Sequence, residues 1–203
     1  MMLPHFRPAA WRVPGLIAVL MCAAAASPAA AQAPKKAAPA PAPAAKTAPQ
    51  TLPVPKQLGS FESWTSVELA QASSKICYVF ARPSASDPKA IKRGEVMLTV
   101  THRPAAKRFD EVSFQAGYPY KSGAPVAVEI DGKKFEFFTR TDVDPEAAWA
   151  KDDAADKAVV AAMKNGKTLK VRGISARNTQ TTDTLNLAGF VKAYAEIGKA
   201  CAK

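Results

Sequence analysis

The chain has 203 residues, 28 Lys+Arg against 17 Asp+Glu for a formal net charge of +11, three Cys and two His. That length fits one domain with appendages. So few Cys and His exclude iron–sulfur clusters and, once an N-terminal address segment is removed, four-ligand zinc sites and two-histidine iron sites.

Arg7 and Arg12 open the chain without an acid, Val13 to Ala26 is an apolar stretch of fourteen residues, and Ala29 and Ala31 are small. This pattern reads as a secretory signal peptide over residues 1–31, cleaved after Ala31. The apolar stretch falls short of the ~20 residues a spanning helix needs. Met21 precedes Cys22, where lipid attachment would need a small residue. The segment resembles a bacterial export signal, so the expected location is periplasmic or envelope-associated, with no transmembrane helix in the mature chain. Cleavage removes Arg7, Arg12, His5 and Cys22, leaving a charge of +9, one histidine (His102) and two cysteines (Cys77 and Cys201).

Seven Pro, seven Ala and four Lys fill 18 of the 23 positions from 34 to 56. Repeated proline bars helix and sheet, and nothing here can build a core. Residues 32–57 read as a disordered tether. Its lysines suit electrostatic contact with peptidoglycan or anionic lipid, beside the plainer reading of a solvated linker. An export route makes nucleic acid an unexpected partner despite the basic charge.

Residues 58–203 read as the folded domain. Phe61, Val67 and Leu69 share one face by period two, Ile76–Ala81 is apolar on both faces, and Val96, Leu98, Val100 and His102 alternate. Asp131-Gly132 between two β-prone runs predicts a two-residue hairpin pairing Glu129 with Lys134, Val128 with Phe135 and Val126 with Phe137. A second hairpin over 169–185 turns at Asn178 in the left-handed region, with Leu169, Val171 and Leu185 on one face. The threonines from Thr179 to Thr184 read as a solvated strand face rather than a hydroxyl-rich ligand surface. A short helix is expected over 153–164, stopping at Asn165-Gly166 with Ala155, Val159, Ala162 and Met163 on one side. A second helix starts near Asn186 and carries Leu187, Phe190, Val191, Tyr194, Ile197 and Cys201 on one core-facing stripe. The expected fold is mainly β: an antiparallel β-sandwich-like domain with one short helix and a C-terminal helix docked on the sheet.

Two cysteines in an exported chain default to a disulfide, here Cys77–Cys201. His102 reads as a structural histidine at a strand end. Neither a nucleophile elbow nor a glycine-rich phosphate loop occurs. The acids at Asp142, Asp144, Glu146, Asp152, Asp153 and Asp156 suit a turn and a helix start, with a carboxylate pair for glycan hydrolysis as the alternative.

Several segments resemble the invasion-associated locus B proteins, exported proteins of Gram-negative bacteria. They include Phe61-Glu62-Ser63-Trp64, Lys75-Ile76-Cys77-Tyr78, Arg93-Gly94-Glu95-Val96, Ala116-Gly117-Tyr118-Pro119-Tyr120, Gly173-Ile174-Ser175-Ala176-Arg177 and Thr181-Thr182-Asp183-Thr184. The resemblance spans nearly all of 58–202. Asn178 departs from an expected Gly, and Glu68 stands where some members carry a further cysteine. The family name implies host-cell entry for some members; the resemblance implies no enzymatic activity, cofactor or metal. The functional expectation is therefore a non-enzymatic envelope protein that binds an unknown protein or glycan partner. Its candidate contact residues are Trp64, Tyr118, Tyr120, Arg140 and Trp149, aromatic or basic side chains near Gly/Pro turns. The alternative is an envelope-glycan hydrolase using acids near Asp142–Glu146.

Overall fold

The computed structural model describes residues 54–71, 74–89 and 91–201. The signal peptide and all but the last residues of the tether lie outside them. The strands are β1 (Pro55–Phe61), β2 (Trp64–Gln71), β3 (Ser74–Ala81), β4 (Ala85–Asp87), β5 (Met97–Arg103), β6 (Arg108–Gln115), β7 (Val126–Ile130), β8 (Lys133–Arg140), β9 (Asp144–Ala150), β10 (Thr168–Ile174) and β11 (Gln180–Asn186). The helices are α1 (Asp153–Asn165) and α2 (Phe190–Cys201). All eleven strands join in one sheet, in the order β1-β2-β3-β5-β6-β9-β8-β7-β10-β11-β4, each neighbouring pair antiparallel. The domain is thus mainly β with two helices, as expected. Among the described residues no helix is long and apolar enough to cross a membrane.

The two ends of this sheet share one core. Trp64, near one end, is fully buried and donates its Nε1–H to the Asn186 carbonyl, near the other, at 3.1 Å. Its ring meets Phe190 edge-on at 4.8 Å between centroids. Trp64 is therefore part of the core and not a contact surface. The same wall holds Ser66, whose hydroxyl donates to the Ala193 carbonyl at 2.9 Å, and Cys77, bonded to Cys201 of α2 across 124 residues of chain. In the chain-entropy view a crosslink over so long a loop contributes about 4–5 kcal/mol.

Both expected hairpins form. In β7–β8, Glu129 opposes Lys134, Val128 opposes Phe135 and Val126 opposes Phe137, with Asp131 and Gly132 at positive φ. In β10–β11, Asn178 sits at φ 60° and Leu169 opposes Leu185.

Other boundaries differ from expectation. The run 61–69 is two strands, because Glu62 takes the left-handed region at φ 54° and turns the chain so that Phe61 pairs with Trp64. The new strand β1 begins at Pro55, inside the segment read as a tether, because its backbone finds partners along β2. β11 continues to Asn186, whose side chain accepts the Ala188 N–H at 2.8 Å, so α2 starts only at Phe190. The buried stripe of α2 is Phe190, Ala193, Tyr194, Ile197 and Cys201, at i, i+3, i+4, i+7 and i+11, and Val191 lies off it, 53% exposed. On α1 the Asp152 side chain caps the first turn through the Ala155 N–H at 2.9 Å. Its buried residues are Asp156, Val159, Val160 and Met163, while Ala155 and Ala162 are only partly buried.

Two measurements follow from this packing. Phe190 is fully buried and Val191 is not, so Phe190→Ala is expected to lose roughly 3–5 kcal/mol and Val191→Ala to stay within about ±0.5 kcal/mol. Urea unfolding of the oxidised proteins compares them; equal midpoints would mean α2 is not docked. The second concerns Asp156, whose carboxylate accepts the Val112 N–H at 2.8 Å. Burial pushes its pKa up from 3.8 to about 6. The folded state then holds a proton that the unfolded chain has released, so this residue's contribution makes stability rise as pH falls from about 6 to about 4. Asp156→Asn should flatten that part of the stability–pH curve relative to the wild type; an unchanged slope would contradict the assignment.

Candidate functional site

Strand parity decides which side chains of the second hairpin turn inward. With Leu169 and Val171 inside, Gly173 follows on β10, and Leu185, Asp183 and Thr181 follow on β11. Thr181 and Asp183 are accordingly buried (5% and 1% exposed). The threonine run is thus split between the two faces, since Thr182 and Thr184 turn the other way and lie beside β4. A carboxylate this deep needs charged and hydrogen-bonding partners. Arg93 supplies a two-point fork, with Nη1 donating at 2.9 Å to one Asp183 oxygen and Nη2 to the other. The Ser86 hydroxyl of β4 adds a third bond at 2.6 Å. The hydrogen bond to Asp183 holds the Arg93 pKa above its ordinary value, against the opposing effect of burial.

This pair anchors an aromatic layer. The Arg93 guanidinium lies 6.0 Å from the Tyr118 ring centroid, and Tyr118 and Tyr120 meet edge-to-face at 5.4 Å. The Tyr118 hydroxyl bonds the Thr181 hydroxyl at 2.6 Å. Two glycines allow the approach. A Cβ at Gly173 would sit 2.7 Å from the Tyr120 ring and 2.9 Å from the Tyr118 hydroxyl. Gly117, at φ +71°, would place one 2.6 Å from the Gly94 carbonyl, whose own N–H donates to the Gly117 carbonyl at 2.7 Å. Burial raises the pKa of both tyrosines, more strongly for Tyr120. The Tyr120 hydroxyl has no hydrogen-bond partner among the described residues.

Above this layer opens a cleft of about 320 Å³. Gly117-Tyr118-Pro119 forms one wall and Ser175-Ala176-Arg177 another, and Lys92 stands at its edge. The walls are tied together by the Ala176 N–H, which donates to the Pro119 carbonyl at 2.8 Å. Ser175 braces its own turn, accepting the Asn178 N–H on its carbonyl at 2.8 Å and the Thr179 N–H on its hydroxyl at 3.1 Å. Among the described residues no carboxylate lines the cleft, whereas Lys92 and Arg177 both do. Such an arrangement can hold a small ligand with an anionic group.

Of the expected contact residues, Tyr118 lines the cleft and Tyr120 supports it from beneath, buried to 3% exposure. Tyr120 is therefore a supporting side chain and not a contact. Arg140 pairs with Asp142 at 3.3 Å, and Trp149 packs beside Phe138 at 6.4 Å; neither lines the cleft. The acids of the hydrolase alternative are occupied locally, Asp144 accepting the Glu146 N–H at 2.9 Å and Glu146 accepting from Gln115 at 3.2 Å. His102 is fully buried and its Nδ1 accepts the Asp110 N–H at 3.1 Å. The sequence reading missed Lys92, Arg93, Arg177 and Asp183 as site residues. The inward parity of Leu169, Val171 and Leu185 already placed Asp183 inside.

A family model described as "Invasion associated locus B (IalB) protein" matches residues 64–198. That is more than half of the chain, and the chain belongs to the IalB family. Its fold is similar to the crystal structure of invasion associated protein B from Bartonella henselae, with a TM-score of 0.51 at 18% identity over 74% of this chain and 99% of that one. No curated protein sequence matches the chain.

The polar layer orders three substitutions. Arg93→Met strands a buried carboxylate and should cost about 3–5 kcal/mol. Tyr118→Phe loses one hydrogen bond and should cost about 1 kcal/mol. Tyr120→Phe removes a buried hydroxyl without a partner, so its unfolding midpoint should stay level or rise. Chemical denaturation ranks them, and a Tyr120→Phe loss as large as that of Arg93→Met would refute this account of the layer.

Proposed function

We propose that this IalB-family chain is an exported, envelope-associated binding protein that recognises its partner through the cleft. The observation carrying this reading is convergence. Three segments far apart in sequence (Ile91-Lys92, Gly117-Tyr118-Pro119 and Ser175 to Thr181) meet at one opening with a braced wall and the buried Arg93–Asp183 ion pair beneath it. A buried ion pair of this kind is costly for stability alone and makes sense as a device that fixes the shape above it. The N-terminal pattern and the Cys77–Cys201 bond support export to an oxidising compartment. Binding is favoured over glycan hydrolysis because no carboxylate among the described residues lines the cleft. Nothing in the cleft is particular to a host surface, so the reading stops at the envelope.

Fractionation of producing cells tests the first half: the periplasmic or envelope fraction should contain a chain beginning at Gln32, and an uncleaved chain confined to the cytoplasm would sink it. Photo-crosslinking residues placed at Pro119 or Ala176 test the second. They should trap an envelope component in intact cells, whereas the same residue at exposed Lys134 on β8 should not. Equal trapping from all three sites would remove the cleft from the proposal.

A further inference from the structure

Among the described residues the arginines show a consistent pattern with one exception. Six of the seven are in ion pairs with carboxylates. The seventh is Arg177, which lines the cleft. It stands in the loop of the second hairpin, exposed, on a turn held by the Ser175–Asn178 and Ser175–Thr179 bonds. Lys92, also exposed and in no ion pair among the described residues, lies across the same opening. Lys121 adds a third positive charge beside the loop, its ammonium donating to the Asn178 side chain at 2.7 Å. Arg93 is spoken for by Asp183, so the charges left for a ligand are those at the mouth.

The rest of the lining sets the body of that ligand. Ile91, Tyr118, Pro119 and Ala176 give apolar and ring surface, and Ser175 and Thr179 give hydroxyls. A volume of about 320 Å³ lies at the lower end of small-ligand sites. An arginine fork matches the two oxygens of a carboxylate or phosphate, and an apolar ring wall matches the C–H face of a sugar. We infer that the cleft takes an acidic sugar, a pyranose bearing a carboxylate or phosphate, with Arg177 receiving the oxyanion and Lys92 assisting. The inference rests on the cleft being the binding face proposed above.

The test titrates the folded protein, by NMR chemical-shift mapping at low salt, with D-glucuronate, D-glucose 6-phosphate and neutral D-glucose. Saturable shifts at Tyr118, Ala176 and Thr179 are expected with one or both anions and not with glucose; which anion responds identifies the carboxylate or the phosphate as the recognised group. Arg177→Gln should weaken that binding roughly tenfold or more, and Lys92→Gln by less. Arg172→Gln, which removes a surface arginine paired with Glu129 at 3.2 Å outside the cleft, should leave it unchanged. No saturation with either anion, equal response to glucose, or equal loss in Arg172→Gln would overturn the inference. An envelope component trapped at Pro119 or Ala176 despite a flat sugar titration would overturn this ligand class alone, leaving the binding face standing.

Discussion

A carboxylate removed from water must be met by a cation and hydrogen bonds or lose its charge, and Asp183 at the centre of β11 is met by both. Because its partner Arg93 comes from 90 residues earlier, the bond fixes a stretch of chain that has no strand of its own. Residues 91–94 are held against β11, and through the Gly94–Gly117 bond so is the turn that carries Tyr118. Ser86 brings β4 onto the same carboxylate, which explains how a strand of three residues persists at the sheet edge. The floor of the cleft, its tyrosine wall and one margin of the sheet therefore depend on a single buried side chain. A neutral residue at 183 would keep the strand yet release what is assembled around it.

Charge pairing elsewhere has a different character. The exposed arginine–carboxylate pairs contribute little individually, on the order of 0–1 kcal/mol, yet together they neutralise nearly every described guanidinium at the surface. Against that background an unpaired arginine at a concave site carries information that net charge does not. Much of the basic excess stands in the acid-free stretch before Glu62, including the four Lys from 34 to 56; the chemically specific fork at Arg177 stands in the folded domain.

Much of this fold could be read from period and turn chemistry. The β7–β8 register followed from Asp131-Gly132, and the inward face of β10–β11 from the spacing of Leu169, Val171 and Leu185. Four strands were not foreseen, and each has its own reason. β9 reads DPEAAWA, poor in β-formers, and is a strand because β6 and β8 pair with it from both sides. The inward side of β6 includes Asp110, accepting from the Tyr194 hydroxyl, so its alternation is interrupted by a charge. β1 is mostly exposed, and β4 is too short to show any period. The candidate site was legible only in pieces, since Tyr118 could be singled out by residue type whereas Arg177 became meaningful once its neighbours' pairings were known.

The position of α2 also has a consequence for the chain as it is made. Trp64, Cys77 and Val79 are among the first core residues synthesised, and the helix that covers them, with Phe190, Ile197 and Cys201, is the last. The gap between the two bonded cysteines is 124 residues, which at roughly 5–20 residues per second is on the order of ten seconds of elongation. Throughout that interval the N-terminal strands lack their covering helix, although β3 gains its neighbour β5 once Arg103 has been made. The apolar face of β2 and β3 therefore waits for the last residues of the chain, and a factor that holds nascent chains would meet it uncovered until α2 is made.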